Sequence, residues 1–347
     1  MFEVDNKIWQ EDIDQIAKSN IIDEFKNSSF LITGATGLVG SELVFSLLCA
    51  NRIKNLNNKI YALVRNEAKA KALFKNVLDN PNFNLVIQDV IEPINCCEKI
   101  DYVFHCASIT SSIDMVKKPV DTIITTFNGT KNVLDFALKS NSKVLYLSSL
   151  EAYGIINSEA EIKEDDLGYI DLANPRSSYP ESKRIAENLC ASYSSQYGLD
   201  IKIARLTQTF GAGISRDDNR VFAQFAKSAI NREDIVLHTK GETIRNYCYI
   251  TDAVIALFVI LKKGFGVYNV ANKSTAISIK NMAQLIANQN DVFLKYEIDD
   301  INRGYNPTIC MKLDTKKLEN LGWSAEVGIE EMFDRITRFL KIEMVNL

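Results

Sequence analysis

Residues 30–40 read Phe30-Leu31-Ile32-Thr33-Gly34-Ala35-Thr36-Gly37-Leu38-Val39-Gly40, and this stretch decides the fold. A short β-rich run passes straight into a turn holding three glycines and then into an apolar helical pattern. In that order each glycine has its own physical role. The first lets the chain turn sharply, the second lets backbone N–H groups approach a pyrophosphate, and the third lets the helix pack close to the sheet, while the helix N-terminus supplies partial positive charge. A glycine-rich turn without a ligand is the plainer reading of the triplet alone. The strand before it and the helix after it turn the reading to a dinucleotide site built from Gly34, Thr36, Gly37, Leu38, Val39 and Gly40.

Outward from this loop, short apolar runs alternate with longer helical patterns as far as residue 207. The spacing predicts strands over Phe30–Thr33, Lys59–Val64, Phe83–Ile87, Asp101–His105, Lys143–Ser148 and Asp200–Leu206. It predicts helices over Gly37–Ala50, Glu67–Leu78, Pro119–Lys139 and Tyr179–Tyr197. That alternation is the pattern of an α/β protein with a Rossmann-type, doubly wound parallel sheet. Beyond Gly211 the pattern breaks into separated helices (Arg220–Asn231, Thr251–Lys263, Ser278–Asn290, Gly328–Lys341) with short strands between, which predicts a smaller α/β lobe over the sheet's carboxyl edge. The expected division is an N-terminal helical extension over 1–28, a dinucleotide-binding domain over 29–210 and mainly a substrate lobe over 211–347, with room for segments of the last to return to the sheet. Trp9, Ile13, Ile16 and Ala17 share one helical face, so the extension should pack on the body.

The bulk properties narrow the function. With 347 residues, 46% of them hydrophobic, the chain can bury a large core. Its net charge of -4 and the lack of a basic run offer little to nucleic acid or an anionic membrane, so a small-molecule partner is expected. No segment is apolar for long enough to cross a bilayer, and residues 1–28 lack the cationic start and apolar block of a secretion signal. The seven cysteines include no Cys-x-x-Cys pair, which points away from a disulfide framework and a zinc set and toward the cytoplasm. His105 and His238 are the two histidines. His105, at a strand end, reads as a satisfied core group, and no metal is expected.

The end of the second strand bears on the choice of nicotinamide. An acidic residue there would accept from a ribose 2′-hydroxyl, whereas an arginine suits a 2′-phosphate. The chain has Val64-Arg65-Asn66-Glu67, so Arg65 tilts the expectation to NADP(H) over NAD(H), with a solvated surface arginine as the alternative. Tyr179-Pro180-Glu181-Ser182-Lys183 opens a helix, and the four-residue spacing puts Tyr179 and Lys183 on one face. A phenol is too weak an acid to exchange protons near neutrality. A neighbouring ammonium favours the phenolate and would let the pair act as acid or base on a sugar hydroxyl or carbonyl. Upstream, the fifth strand carries Ser149 to the carboxyl edge, where its hydroxyl can meet the reacting oxygen.

Together TGATGLVG (33–40), LSSLEAYG (147–154) and YPESK (179–183) resemble the extended short-chain dehydrogenase/reductase family, in its branch of NAD(P)-dependent nucleotide-sugar epimerases, dehydratases and decarboxylases. The resemblance continues through HCAS at 105–108, Asn128-Gly129-Thr130, Ala204-Arg205-Leu206 to Phe210-Gly211, Arg245 with Tyr249 to Asp252, and Gly322-Trp323. It implies that Tyr179 and Lys183 carry acid–base work assisted by Ser149, and that Asp89, Val90, Ala107, Ser108 and Asn128 line the dinucleotide with the glycine loop. It further implies that Arg245 meets the substrate's diphosphate. Arg176 either meets substrate or pairs with a nearby carboxylate. The family is commonly dimeric through a helix bundle, so a homodimer is expected, as is a part in building cell-surface polysaccharide.

Glu151 stands where the resembling dehydratases and decarboxylases carry a glutamate that removes a proton beside a transient ketone. Leu150 before it cannot donate a proton, which weighs against elimination of water. No arginine lies in Pro307–Leu313, which weighs against decarboxylation of a sugar carboxylate. Gln208 stands where a smaller amide is common and signals a different sugar or polyol end. Three readings follow. The first is an epimerase/dehydratase-type enzyme in which a hydride leaves a sugar carbon and returns. The second is an NADPH-dependent reductase of a nucleotide-linked ketose or keto-sugar. The third is a non-catalytic nucleotide sensor on the same fold.

Overall fold

The computed structural model describes residues 2–96, 98–109, 112–156, 160–298 and 309–345. The first part of the chain runs α1 (Lys7–Lys18), β1 (Ser29–Thr33), α2 (Leu38–Lys54), β2 (Lys59–Val64), α3 (Glu67–Leu73), β3 (Phe83–Ile87), β4 (Tyr102–His105), α4 (Ser112–Lys117), α5 (Pro119–Ser140), β5 (Lys143–Ser149), α6 (Ser178–Tyr197) and β6 (Ile201–Leu206). It continues through β7 (Gln208–Phe210), α7 (Val221–Asn231), β8 (Ile235–Leu237), β9 (Ile244–Tyr249), α8 (Ile250–Lys263), β10 (Gly266–Val270), β11 (Asn272–Ser278), α9 (Ile279–Asn290), β12 (Leu294–Tyr296), β13 (Cys310–Met311), α10 (Lys316–Glu319) and α11 (Ile329–Val345).

Seven strands form one parallel sheet in the order β3-β2-β1-β4-β5-β6-β10. The order reverses between β1 and β4, and a crevice for a ligand opens outside the carboxyl ends of the strands at such a point. Both faces are covered, so the strands read as unbroken apolar runs rather than alternating ones. Phe30 and Ile32 of β1 enter one core with α1, α2 and α8, while Leu31 enters a second with α5 and α6. Over the edge lies a smaller sheet in which β9 pairs β7, β11 and β13, and a separate pair joins β8 to β12. β10 leaves this region to extend the main sheet beside β6. Among the described residues, no helix is long and apolar enough to cross a membrane.

One expected helix is shorter than its pattern. The periodicity over Glu67–Leu78 continues past Leu73, but the helix stops there. Phe74 turns wholly inward between Phe45 and Phe83, with ring centroids 5.3 and 5.0 Å away, and the chain leaves the helix in a turn closed by Val77 N–H on the Phe74 carbonyl. Packing of one large ring therefore overrides the helical propensity of the segment.

The N-terminal helix is part of the core. Asn6 caps it by accepting from the Ile8 and Trp9 N–H groups. Trp9 donates its indole N–H to Glu42 of α2 at 2.6 Å and packs edge-on against Phe45 and Phe339. Asp12, wholly buried, accepts from the Tyr249 hydroxyl at 2.6 Å and from Arg335 Nη2 at 2.5 Å. Burial nevertheless dominates and pushes the Asp12 carboxyl up to about 6.

Replacing Arg335 with Met should remove the cation and leave Asp12 buried, which costs about 3–5 kcal/mol. An acid with a raised folded-state pKa loses stabilising free energy as pH rises through that pKa, so the loss should be larger at about pH 8 than at about pH 5. Urea denaturation of the variant at the two pH values checks both statements.

Candidate active site

The crevice is set by a close backbone approach. Gly34 ends β1 at φ +64°, and a Cβ there would lie 2.8 Å from the backbone of Ala107, just past β4. Gly40 sits in α2 directly over the loop, where a Cβ would come within 2.8 Å of Ala35 Cα. Gly37 is the exposed N-cap of α2 and carries no side-chain cap, so the first-turn N–H groups behind it face the crevice unmasked. Thr36, Leu38 and Val39 are half-buried around it, and Leu38 and Val39 lean on the core. Across the switch point the Ala107 N–H donates to the Thr33 hydroxyl at 3.2 Å, and the Ser108 hydroxyl is buried with no partner among the described residues. His105 is enclosed between Thr33 at 2.8 Å and Thr130 at 3.2 Å, the satisfied core group expected.

A turn with glycine at each end, a helix N-terminus without a side-chain cap and the buried Ser108 hydroxyl together fit a dinucleotide. Val90 is buried against Gly129, whose Cβ would lie 2.9 Å from Val90 Cγ1, and Asn128 is half-buried beside that glycine. Asp89 forms a local turn by accepting from the Ile91 N–H. Arg65 is exposed at the end of β2.

The acid–base groups converge from β5 and α6. Tyr179 and Lys183 are buried on one face of α6, and the Lys183 ammonium lies 5.7 Å from the Tyr179 ring centroid and 4.9 Å from that of Tyr146. The Ser149 hydroxyl accepts the Glu151 N–H at 3.2 Å and lies near enough to the Tyr179 phenol to favour its ionised form. Burial, and then the Glu151 carboxylate, push that phenol above its ordinary range; Ser149, Arg176 and Arg220 pull it back. The source of the tuning therefore differs from the sequence expectation. Lys183 does not aim at the phenol, because its Nζ donates to the Leu147 carbonyl at 2.8 Å. Burial lowers the Lys183 amine to about 8, against the opposing pull of Glu187.

Glu151 and Arg176 meet in an ion pair at 3.3 Å, so the two form one unit at the mouth of the site. Arg220 was not singled out by any motif. It lies just before α7, pairs with Asp218 at 2.6 Å, and reaches the Thr209 carbonyl at 3.4 Å, which brings a second guanidinium toward Tyr179. Its one sequence signal is its place immediately before a helix. Gln208 is half-buried on β7, in register with Tyr247 of β9. Arg245, on the same strand β9, is half-buried, and its Nε is buried with no partner among the described residues. Met311 of β13 is its register neighbour. Pro307 and Thr308 lie outside the described residues.

Residues 30–271 match the NAD dependent epimerase/dehydratase family. The chain is 30% identical over 311 residues to UDP-glucuronic acid decarboxylase 5 of Arabidopsis thaliana, spanning 88% of this chain and 87% of that one. Two solved structures share the fold. One is the UDP-glucose 4-epimerase of Thermotoga maritima with UDP-glucose, at TM-score 0.77, 20% identity and coverage of 91% of this chain and 99% of that chain. The other is a dTDP-glucose 4,6-dehydratase of Bacillus anthracis with NAD, at TM-score 0.76, 18% identity and coverage of 91% and 98%. With the glycine loop at the switch point and the tyrosine, lysine and serine gathered beside it, the chain belongs to the NAD dependent epimerase/dehydratase family.

Proposed function

We propose that this enzyme takes a hydride from a sugar carbon of a nucleotide sugar and returns it, with Tyr179, Lys183 and Ser149 handling the proton. The observation that carries this reading is the buried Tyr179 phenol beside the Ser149 hydroxyl, on the same helical face as Lys183. A nicotinamide dinucleotide held by its pyrophosphate at the glycine loop would supply the acceptor and donor of the hydride.

The chain's own groups do the rest. As the sugar C–H bond breaks, Tyr179 in its anionic form takes the hydroxyl proton, and it gives that proton back when the carbonyl is reduced. Ser149 donates to the same oxygen. Arg176 and Arg220 favour the anion against burial and Glu151. Lys183, as an ammonium on the Leu147 carbonyl, keeps a positive charge beneath the ring. Arg245, with an unmet buried N–H on β9, suits the diphosphate. Glu151 is the base available beside a transient ketone, but Leu150 is buried in a cluster with Tyr153, Ile162 and Met311 and offers no acid to a departing hydroxyl. This favours inversion at a carbon over loss of water, and membership of the family favours return of the hydride over net reduction.

In coupled assays of product formation from UDP- and dTDP-linked sugars, UDP-glucuronate included, the wild type should turn over without net change in absorbance of the reduced cofactor. Tyr179→Phe should lower kcat by about a hundredfold or more while still binding nucleotide, and Arg245→Met should raise KM by about tenfold or more. Stoichiometric consumption of NADPH would instead establish a reductase, and unchanged turnover by Tyr179→Phe would remove the catalytic assignment.

Arg65 supports NADP(H) over NAD(H), although Glu67 stands two residues away and a family relative was solved with NAD. Titration of the apoprotein with each should show a lower Kd for NADP, and the opposite order refutes the preference. Val120, Ile123 and Ile124 on α5 and Ile185 on α6 are exposed apolar side chains on helices that pack together, and they support a homodimer. Sedimentation equilibrium should read twice the chain mass of 39.1 kDa.

A further inference from the structure

Ser149 stands at the end of β5, whereas Tyr179 and Lys183 are on α6, so the proton-handling trio works only if helix and strand keep a fixed register. Two successive turns of α6 hold that strand end. Lys183 donates to the carbonyl of Leu147, and one turn later Glu187 accepts from the hydroxyl of Ser148. The Glu187 carboxylate, 8% exposed, is also gripped from β6, where Arg205 donates through Nε at 3.0 Å to one oxygen and through Nη2 at 2.6 Å to the other. Ser148 and Arg205 are register partners across β5 and β6, so one carboxylate joins two strands and a helix. Arg205 is fixed in turn, with its guanidinium 4.6 Å from the Tyr153 ring and its Nη1 on the Glu164 carbonyl.

We propose that Glu187 is a positioning residue of the reaction. By holding Ser148 and Arg205 one helical turn beyond Lys183, it keeps the catalytic helix in register with the strand end that presents Ser149, and it sets a negative charge behind the ammonium. This inference rests on the function proposed above. The groups facing the Lys183 amine are Tyr179, Glu187 and Cys190 of α6, Tyr146 of β5, and His105 and Cys106 at the end of β4. Among them Glu187 is the carboxylate that favours the charged form against burial. The arginine engages both of its oxygens and so fixes where that charge sits.

Glu187→Gln keeps the shape of the side chain and removes its charge. The Lys183 amine should then lose its proton at a pH about one unit lower. The descending alkaline limb of the kcat profile should move with it, leaving kcat about tenfold lower above the limb and KM within a factor of about two. Glu187→Asp should restore the position of the limb. The decisive readout does not depend on turnover. In protein labelled at lysine Cε with carbon-13, the Lys183 resonance, assigned by its loss in Lys183→Met, should titrate at lower pH in Glu187→Gln than in the wild type or Glu187→Asp. An unchanged Lys183 titration in Glu187→Gln overturns the inference even if the enzyme proves active. A wild type with no turnover overturns the function while the lysine titration still decides the role of Glu187. Should Glu187→Gln not fold, Ser148→Ala leaves the charge in place and removes one clasp. It should lower kcat with the lysine titration unmoved, and a kcat equal to the wild type's would count against the positioning role.

Discussion

Parallel strands send all their carboxyl ends to one edge, and here the two strands flanking the reversal of order touch through their backbones just beyond it. Gly34 can lie against the backbone of Ala107 only because it carries no side chain of its own. That approach draws the glycine turn, the start of α2 and the Ser108 hydroxyl to one place. The same edge receives Ser149 from β5 two strands of hydrogen bonding away from β1. A later element completes that gathering: α6 lays Tyr179 and Lys183 alongside the end of β5.

Within the site the governing quantity is the free energy of a charge away from water. Burial opposes both the phenolate of Tyr179 and the ammonium of Lys183, so each needs neighbours to make its charged form accessible. The chain answers with separate partners for the two. Guanidinium groups from a loop and from the start of α7 act on the phenol, and a carboxylate on the catalytic helix acts on the amine. Glu151 pushes the phenol in the unhelpful direction, and its pairing with Arg176 ties the two opposing influences together. A substrate that drew Arg176 away would thereby change the balance at Tyr179.

The parts legible in the sequence are those dictated by local physics. The strands of the main sheet, buried on both faces, stand as continuous apolar runs, and their observed limits fall within a residue of the reading from Phe30 to Leu206. The glycine turn carries its function in its own spacing, and the four-residue interval of Tyr179 and Lys183 places them on one face as a helix must. What escaped the reading depends on contacts across long separations. α3 stops early because Phe74 finds Phe45 and Phe83. The reading left room for a segment past residue 211 to return to the main sheet, but that it is Gly266–Val270, paired with β6, no local pattern encodes. Arg220 belongs to no motif, and the aim of the Lys183 amine at Leu147 rather than at the phenol follows from how α6 leans on β5.

The pairing of Asp12 with Arg335 joins positions 323 residues apart. The two partners sit in α1 and α11, so the seat of the first helix is completed by the last one. A protein cut short of α11 would leave Asp12 of α1 without its cation and Trp9 without the edge of the Phe339 ring, while the hold of Glu42 and Phe45 on that indole would remain.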